Sequence, residues 1–359
     1  MPVPPAIFID TCIFHGQAFD FKSPQFEALV AAAKGTGIKL LLPHPVRLEI
    51  ERHIDEQTSS AVSALKSARR AHPFLRELSG YPHSRDDLDE ARRQIRQKIH
   101  RGWNAFLKKF ESVQLDYSTI DLCEIMGWYD RQEPPFGPGD KRKEFPDAFA
   151  FASLRNYARA QKINIAVVSS DNDLLSACET VSELHHFPTL PALIDSLLQE
   201  NTRFCAARVL AESVIDEFKK RIVLDFPDIG FYHEIDPDGS SLVEDVEVTA
   251  VSINPHNIEV IGLGHEAFTV SFRASVKFSA FAKHVDTDSY MNMGDGDIMY
   301  PHSCEGTIDE ETEIDCIARI ATDREWKKAK KLVSLKIEDD MIAVSTAAPE
   351  IDDHDYNED

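Results

Sequence analysis

The chain's six cysteines include no C-x-x-C pair, and no apolar run approaches the roughly 18 residues a membrane-spanning helix requires. Scattered thiols at Cys12, Cys123, Cys178, Cys205, Cys304 and Cys316 argue against a disulfide framework or a zinc knuckle and fit a reducing compartment. The opening residues Met1-Pro2-Val3-Pro4-Pro5 lack the basic region and apolar core of a secretion signal. The expectation is a soluble, cytoplasmic protein that makes no use of a membrane. There is no P-loop, no G-x-S-x-G elbow and no Cys–His nucleophile pair. Asp286-Thr287-Asp288 begins like a calcium loop, but the sixth position holds Met291 where glycine is needed; Asp295-Gly296-Asp297 fails in the same way at Tyr300. Gly262-Leu263-Gly264 precedes no helical pattern and reads as a turn, and His302 with Cys304 supplies too few ligands for a metal.

Carboxylates at strand ends and helix starts are what the sequence does have. Ile7-Phe8-Ile9 runs into Asp10-Thr11, and Leu40-Leu41-Leu42-Pro43 precedes a helical stretch with Glu49 about one turn in. Asp147 opens the helical stretch Ala148 to Ala160, and Ile165-Ala166-Val167-Val168-Ser169-Ser170 runs into Asp171. In a parallel α/β sheet the carboxyl ends of strands and the amino ends of helices share one edge, where ligands bind. Taken singly, these acids have ordinary explanations. Asp147 and Asp171 are favoured helix N-caps, and Glu49 can pair with Arg52 or His53 one turn on. Asp10 directly follows three buried-type residues and is harder to explain that way. Four carboxylates converging on one cleft repel one another unless cations lie between them, which points to a divalent-metal site. Asp173 is the fifth candidate ligand and Glu144 a spare carboxylate acting through water, while Thr11, Ser169 and Ser170 can hydrogen-bond the acids and fix their rotamers.

The motifs I-D-T at Asp10, L-E-I at Glu49, E-F-P-D-A-F at Asp147 and S-S-D-N-D at Asp171 resemble those of the PIN-domain nucleases. The resemblance covers about residues 1–200, including the apolar strand and helix Leu184 to Gln199. It implies a parallel sheet flanked by helices, an acidic quartet (Asp10, Glu49, Asp147, Asp171) binding Mg²⁺ or Mn²⁺, and endonucleolytic attack on single-stranded RNA leaving 5′-phosphate and 3′-hydroxyl ends. A cation there would activate water in line with the phosphodiester and offset charge on the leaving oxygen. The stretch between Glu49 and Asp147 is much longer than in the small toxin members, and a further domain follows.

The formal net charge of −22 is unevenly spread. Residues 222–359 carry 10 Lys and Arg against 31 Asp and Glu, so nearly all the excess acidity lies there. Residues 61–110 instead hold 12 basic and 5 acidic side chains. This asymmetry marks a domain boundary. The basic region reads as a helical insert of about residues 55–110, broken near Ser79-Gly80-Tyr81-Pro82, with Ile95, Ile99, Trp103, Phe106 and Phe110 on one face. Trp103 reads as core. Arg92, Arg93 and Arg96 are candidates for holding RNA phosphates, as are Lys141, Arg142 and Lys143 in the Pro/Gly loop before Asp147; solvated cations are the equal alternative.

Residues 201–221 read as a helical linker. Beyond them the periodicity switches to 2: Phe268, Val270, Phe272, Ala274, Val276, Phe278 and Ala280 alternate, as do Ile314, Cys316, Ala318 and Ile320. The expectation for residues 222–347 is an acidic, antiparallel β-rich domain resembling no known family, available to a protein partner. It should contain a short helix over Asp323 to Lys331 and a hairpin over Leu335 to Val344, followed by a disordered acidic tail, 348–359. Two rival functions stand beside the ribonuclease: a structure-specific DNA nuclease, and a scaffold without turnover acting through the β domain. An intact acidic quartet speaks against the scaffold.

Overall fold

The computed structural model describes residues 4–71, 74, 84–136, 145–233, 242–285, 291–294, 297–299, 303–339 and 341–344. The helical-insert break, Lys141 to Lys143, Glu144, His302 and the acidic tail lie outside the described residues. The chain forms two units, Met1–Leu198 and Gln199–Asp359.

In the first unit the strands are β1 (Ala6–Ile9), β2 (Lys39–Pro43), β3 (Glu111–Leu115), β4 (Ile165–Val168) and β5 (Leu184–Phe187). All pair in parallel in the order β3-β2-β1-β4-β5. Continuous apolar runs make this possible. Every residue of β1 and β4 is buried, as strands covered on both faces require. The helices are α1 (Thr11–Gly16), α2 (Pro24–Ala33), α3 (His44–Ala71), α4 (Arg85–Leu107), α5 (Leu122–Arg131), α6 (Phe145–Gln161), α7 (Asn172–Glu179) and α8 (Leu190–Leu198). Chain order reverses direction on either side of β1, so the crevice between the ends of β1 and β4 is the topological switch point where such sheets bind ligands.

The insert is a pair of long helices, α3 and α4, packed on each other. A capping box starts α4: Asp87 N–H donates to Ser84 Oγ (3.0 Å) while Ser84 N–H donates to Asp87 Oδ2 (2.8 Å). Trp103 and Phe106 of α4 enter an aromatic cluster with Phe14 of α1, Phe21, and Phe26 of α2. Ring centroids lie 5.4 Å apart for Phe14–Trp103 and 5.0 Å for Phe26–Phe106. Trp103 is therefore core.

In the second unit α9 (Phe204–Ser213) and α10 (Ile215–Asp225) precede β6 (Gly230–His233), β7 (Leu242–Ile253), β8 (Glu259–Leu263), β9 (Ala267–Val285), β10 (Met291–Gly294), β11 (Asp297–Met299), β12 (Ser303–Thr322), β13 (Ala329–Ile337) and β14 (Met341–Val344). β9 and β12 pair antiparallel from Ala267↔Ala321 to Val285↔Ser303, with β13 outside β12 and both β7 and β8 along β9. The period-2 positions of β9 are all buried, from Phe268 through Ala282. Three expectations are corrected here. The segment 201–221 is not a bare linker, because Phe218 of α10 stacks on Phe272 at 4.9 Å and the helices cover the sheet's apolar face. Asp323 to Lys331 is a turn running into β13, since Asp323 Oδ1 accepts the N–H of Lys327 (2.7 Å) and stops helical propagation. Leu335 to Val344 is not a hairpin, because β14 leaves β13 to pair in parallel with β6.

Candidate functional site

Asp10 stands at the switch point. Its N–H donates to Val168 O (2.9 Å), which extends the β1–β4 pairing by one residue and fixes the backbone where α1 begins. Its carboxylate caps α1 and gathers three donors: Thr11 N–H on Oδ1 (2.8 Å), and Ser169 O–H (2.7 Å) and Cys12 S–H (3.1 Å) on Oδ2. Burial pushes the Asp10 carboxyl above the usual aspartate range. The three donors pull it back, and the charge of Glu49 raises it further. Among the described residues no basic side chain forms an ion pair with Asp10.

Ser169 is fully buried and works on both strands. It donates to Asp10, and its Oγ accepts the N–H of Asp171 (3.0 Å). Glu49, in the second turn of α3, is tied to the same point by Thr11, whose hydroxyl donates to Oε2 at 3.0 Å. Its other oxygen faces His53 Nε2 at 3.6 Å and Arg52 at 3.8 Å, and His53 Nδ1 lies 2.9 Å from Glu56. Asp147 occupies the first turn of α6, half-buried. Because α6 leads into the amino end of β4, its own start lies at the sheet edge where Asp10 sits. Contacts from His44 to Tyr117 (5.1 Å) and Tyr117 to Phe149 (5.7 Å) hold it beside the start of α3.

Asp171 is exposed and caps α7, accepting from Asp173 N–H (2.6 Å) and Leu174 N–H (3.3 Å), so the N-cap expectation holds for it. Asp173 follows in the first turn, also exposed. The acids thus share an edge without forming a closed cage. Among the described residues no three Asp, Glu, His or Cys side chains gather tightly enough to enclose a metal ion. Asp171 is turned onto its own helix and Glu49 onto Thr11, while the Glu49 charge still acts on Asp10.

One residue at this site, Cys12, has a role that the sequence alone did not reveal. Cys12 accepts Ser170 O–H (3.3 Å) and N–H (3.4 Å) and donates its S–H to Asp10, so it links the β1 and β4 loops. Its position two residues past Asp10, in the first turn of a helix, was the available signal. Burial and the Asp10 charge push its thiol up, away from nucleophilic reactivity. His53 and Arg52, expected from the sequence as partners of Glu49, both lie against it.

The cations of the insert divide. Arg96 forks onto Asp55 (2.6 and 2.8 Å) and joins α4 to α3, and Arg93 pairs with Glu90 at 2.7 Å. Arg92 has no ion-pair partner among the described residues.

Residues 7–174 match the family model of the PIN domain. The first unit has a PIN-like fold. No curated protein and no solved structure matches the chain. PIN domains are generally nucleases that use divalent metals, and the matched segment contains Asp10, Glu49, Asp147, Asp171 and Asp173. The second unit lies outside the match. Among the described residues no helix is long and apolar enough to cross a membrane.

Proposed function

We propose that this PIN domain is a Mg²⁺- or Mn²⁺-dependent endoribonuclease that hydrolyses single-stranded RNA, with Asp10, Glu49, Asp147 and Asp171 as its acids. One observation carries the reading. A carboxylate withdrawn from solvent sits at the switch point of a parallel sheet beside a second acid, with hydroxyl and thiol donors around it and, among the described residues, no basic partner. A structural acid so placed is normally paired, because burying an unneutralised charge is costly.

The donor set is all oxygen, which fits a hard cation. The open spacing fits one that retains most of its water and takes only one or two carboxylates. Asp10 would hold it, with Glu49, Asp147, Asp171 and Asp173 contributing directly or through water. When bound, the cation supplies positive charge at the scissile phosphate and makes water a better nucleophile at neutral pH. The chain's own groups orient the acids. Ser169 and Thr11 fix the rotamers of Asp10 and Glu49, and Cys12 locks the two loops in register.

The test compares matched single-stranded RNA and DNA, end-labelled, with Mg²⁺, Mn²⁺ or EDTA. Internal cuts in RNA that require metal are expected. Cleavage undiminished in EDTA would remove the metal, and preferential cleavage of DNA would transfer the activity to the rival substrate.

A further inference from the structure

A cavity of about 580 Å³ lies in the first unit between the loop after α1 and the outer face of α4. Its volume is that of a small-ligand pocket. Phe19, Phe21 and Ile99 give it apolar walls, and Lys22, Lys98 and Arg101 stand at its rim, all three exposed. Among the described residues none of these cations pairs with an acid. Arg101 donates, among the described residues, only to the neutral amide of Gln97 (3.1 Å), while Arg93 and Arg96 on the same helix are neutralised. The one acid of the lining, Asp20, accepts the backbone N–H of Lys22 (3.0 Å) and offsets only part of this charge. Ala18 and Phe19 are held at φ 47° and 55°, a left-handed conformation that is unfavourable for side-chain-bearing residues and that shapes the wall.

One wall of the cavity packs against a residue of the acidic edge. The Phe19 ring, which lines it, stacks on His53 at 6.3 Å, and His53 Nε2 lies 3.6 Å from Glu49. We infer that this cavity is a nucleotide-binding subsite for the RNA strand, with Lys22, Lys98 and Arg101 on successive phosphates and one base against the apolar wall. Apolar walls beside unneutralised cations are the combination that holds single-stranded nucleic acid without regard to sequence. The identity of the ligand rests on the ribonuclease reading. The assignment moves phosphate binding from Arg93 and Arg96, whose charge is matched, to the unpaired cations that line the cavity.

The experiment uses the full chain and a fluorescent single-stranded RNA in EDTA, so that affinity is read without turnover. Lys22→Gln, Lys98→Gln and Arg101→Gln together should weaken binding by about tenfold or more and lower the salt slope by about 2, since each phosphate contact contributes about 0.7. Ala105→Trp, which fills the cavity and leaves its charge, should also weaken binding. A charge-matched control, Lys34→Gln, Lys66→Gln and Lys162→Gln, removes exposed cations outside the lining and should change the slope far less. Circular dichroism and melting establish that each variant folds. Equal effects in the triple variant and the control would overturn the subsite, as would full affinity in folded Ala105→Trp. Wild type that cleaves RNA while the triple variant binds normally would sink the subsite and leave the ribonuclease standing. Wild type that neither binds nor cleaves RNA would overturn both.

Discussion

The two units place their carboxylates in opposite circumstances. In the second, acids lie on the exposed face of an antiparallel sheet and meet cations across the strands: Arg273 with Asp315 at 2.9 Å, Lys277 with Glu311 at 3.4 Å, Lys283 with Glu305 at 2.7 Å. Each sits directly opposite its partner in the β9–β12 register. In the first unit, Asp10 is withdrawn from solvent and, among the described residues, held by hydroxyl, thiol and amide donors rather than by a cation. An acid opposite a base in water adds solubility and little else. A buried acid without one keeps its charge available for a cation and a reaction. Acid content alone therefore misleads, since in the more acidic unit Asp315, Glu311 and Glu305 are already matched by cations.

The largest effect that could break this contrast is catalytic. Asp10→Asn keeps the shape of the side chain and removes its charge, and should lower metal-dependent RNA cleavage by about 10³ or more, on the order of 4 kcal/mol in barrier. Asp315→Asn should leave it unchanged. Added Mn²⁺ should raise the melting temperature of wild type and lose that effect in Asp10→Asn. Equal cleavage by the two variants would end the distinction.

Next in size is an acid of the first unit that does have a cation. Glu124 of α5 takes both guanidinium nitrogens of buried Arg155 on α6, at 2.8 and 2.5 Å, and Arg155 also lies over the Trp128 ring at 5.0 Å. Glu124→Gln strands the guanidinium. The loss should be about 2 kcal/mol by denaturant unfolding, below the 3–5 typical of a buried pair because Glu124 is 37 % exposed. The pH dependences run oppositely. The hydrogen bonds from Arg155 hold the Glu124 carboxyl below its ordinary 4.5, so its stabilisation is present above that value and fades as pH falls through the folded one. Burial raises Asp10 above its ordinary 3.8, so the folded chain binds the extra proton. In EDTA its contribution is therefore favourable below 3.8 and is lost as pH rises through the folded value. Unfolding titrations of Glu124→Gln and Asp10→Asn should flatten slopes of opposite sign.

Much of the first unit was legible because continuous apolar strands, caps and a fixed motif order depend on local sequence. Asp10 could be placed at a sheet edge from Ile7-Phe8-Ile9 alone. The relay through Cys12 could not, because it needs the β1 and β4 loops side by side, and those residues are more than 150 apart in sequence. The pairing of Arg96 was equally hidden, since Asp55 lies on another helix. In the second unit, alternation announced β9 and β12 but said nothing of partners. The apparent hairpin at Leu335 to Val344 had the right local pattern, and its second strand was taken by β6. Helices α9 and α10 looked like a linker because their apolar positions have meaning only once Phe272 and Phe278 are in place.

Asp171 tests whether capping and catalysis can share one residue. Asn caps nearly as well as Asp, whereas Ala removes both hydrogen bonds to the first turn of α7. Asp171→Ala should cost about 1 kcal/mol in stability and Asp171→Asn little, and cleavage should fall in both. If cleavage falls only in the alanine variant, Asp171 acts through helix geometry, and the acidic edge has lost a ligand.

The smallest expected effect bears on the other side of the contrast. Arg273 of β9 donates from Nε to Asp315 at 2.9 Å and reaches Glu313 at 3.4 Å, and all three side chains are at least half exposed. Water solvates these charges well, and ordering long side chains costs entropy, so a double-mutant cycle over Arg273→Gln and Asp315→Asn should give a coupling of about 0.5 kcal/mol or less. The coupling should shrink further as salt rises beyond physiological strength, because the screening length falls below the spacing of neighbouring pairs. Asp315 carries one complication. Its N–H donates to Asp339 at 3.1 Å, and burial raises the Asp339 carboxyl, so a neutral side chain at 315 relieves repulsion as well as breaking the pair. Asp315→Asn alone should therefore cost less than Arg273→Gln, which leaves Asp315 facing Asp339 with no cation between them. A coupling above about 2 kcal/mol would mean that this face is desolvated in the folded protein. The second unit's acids would then be as structurally committed as Glu124, and the contrast between the units would narrow to Asp10 alone.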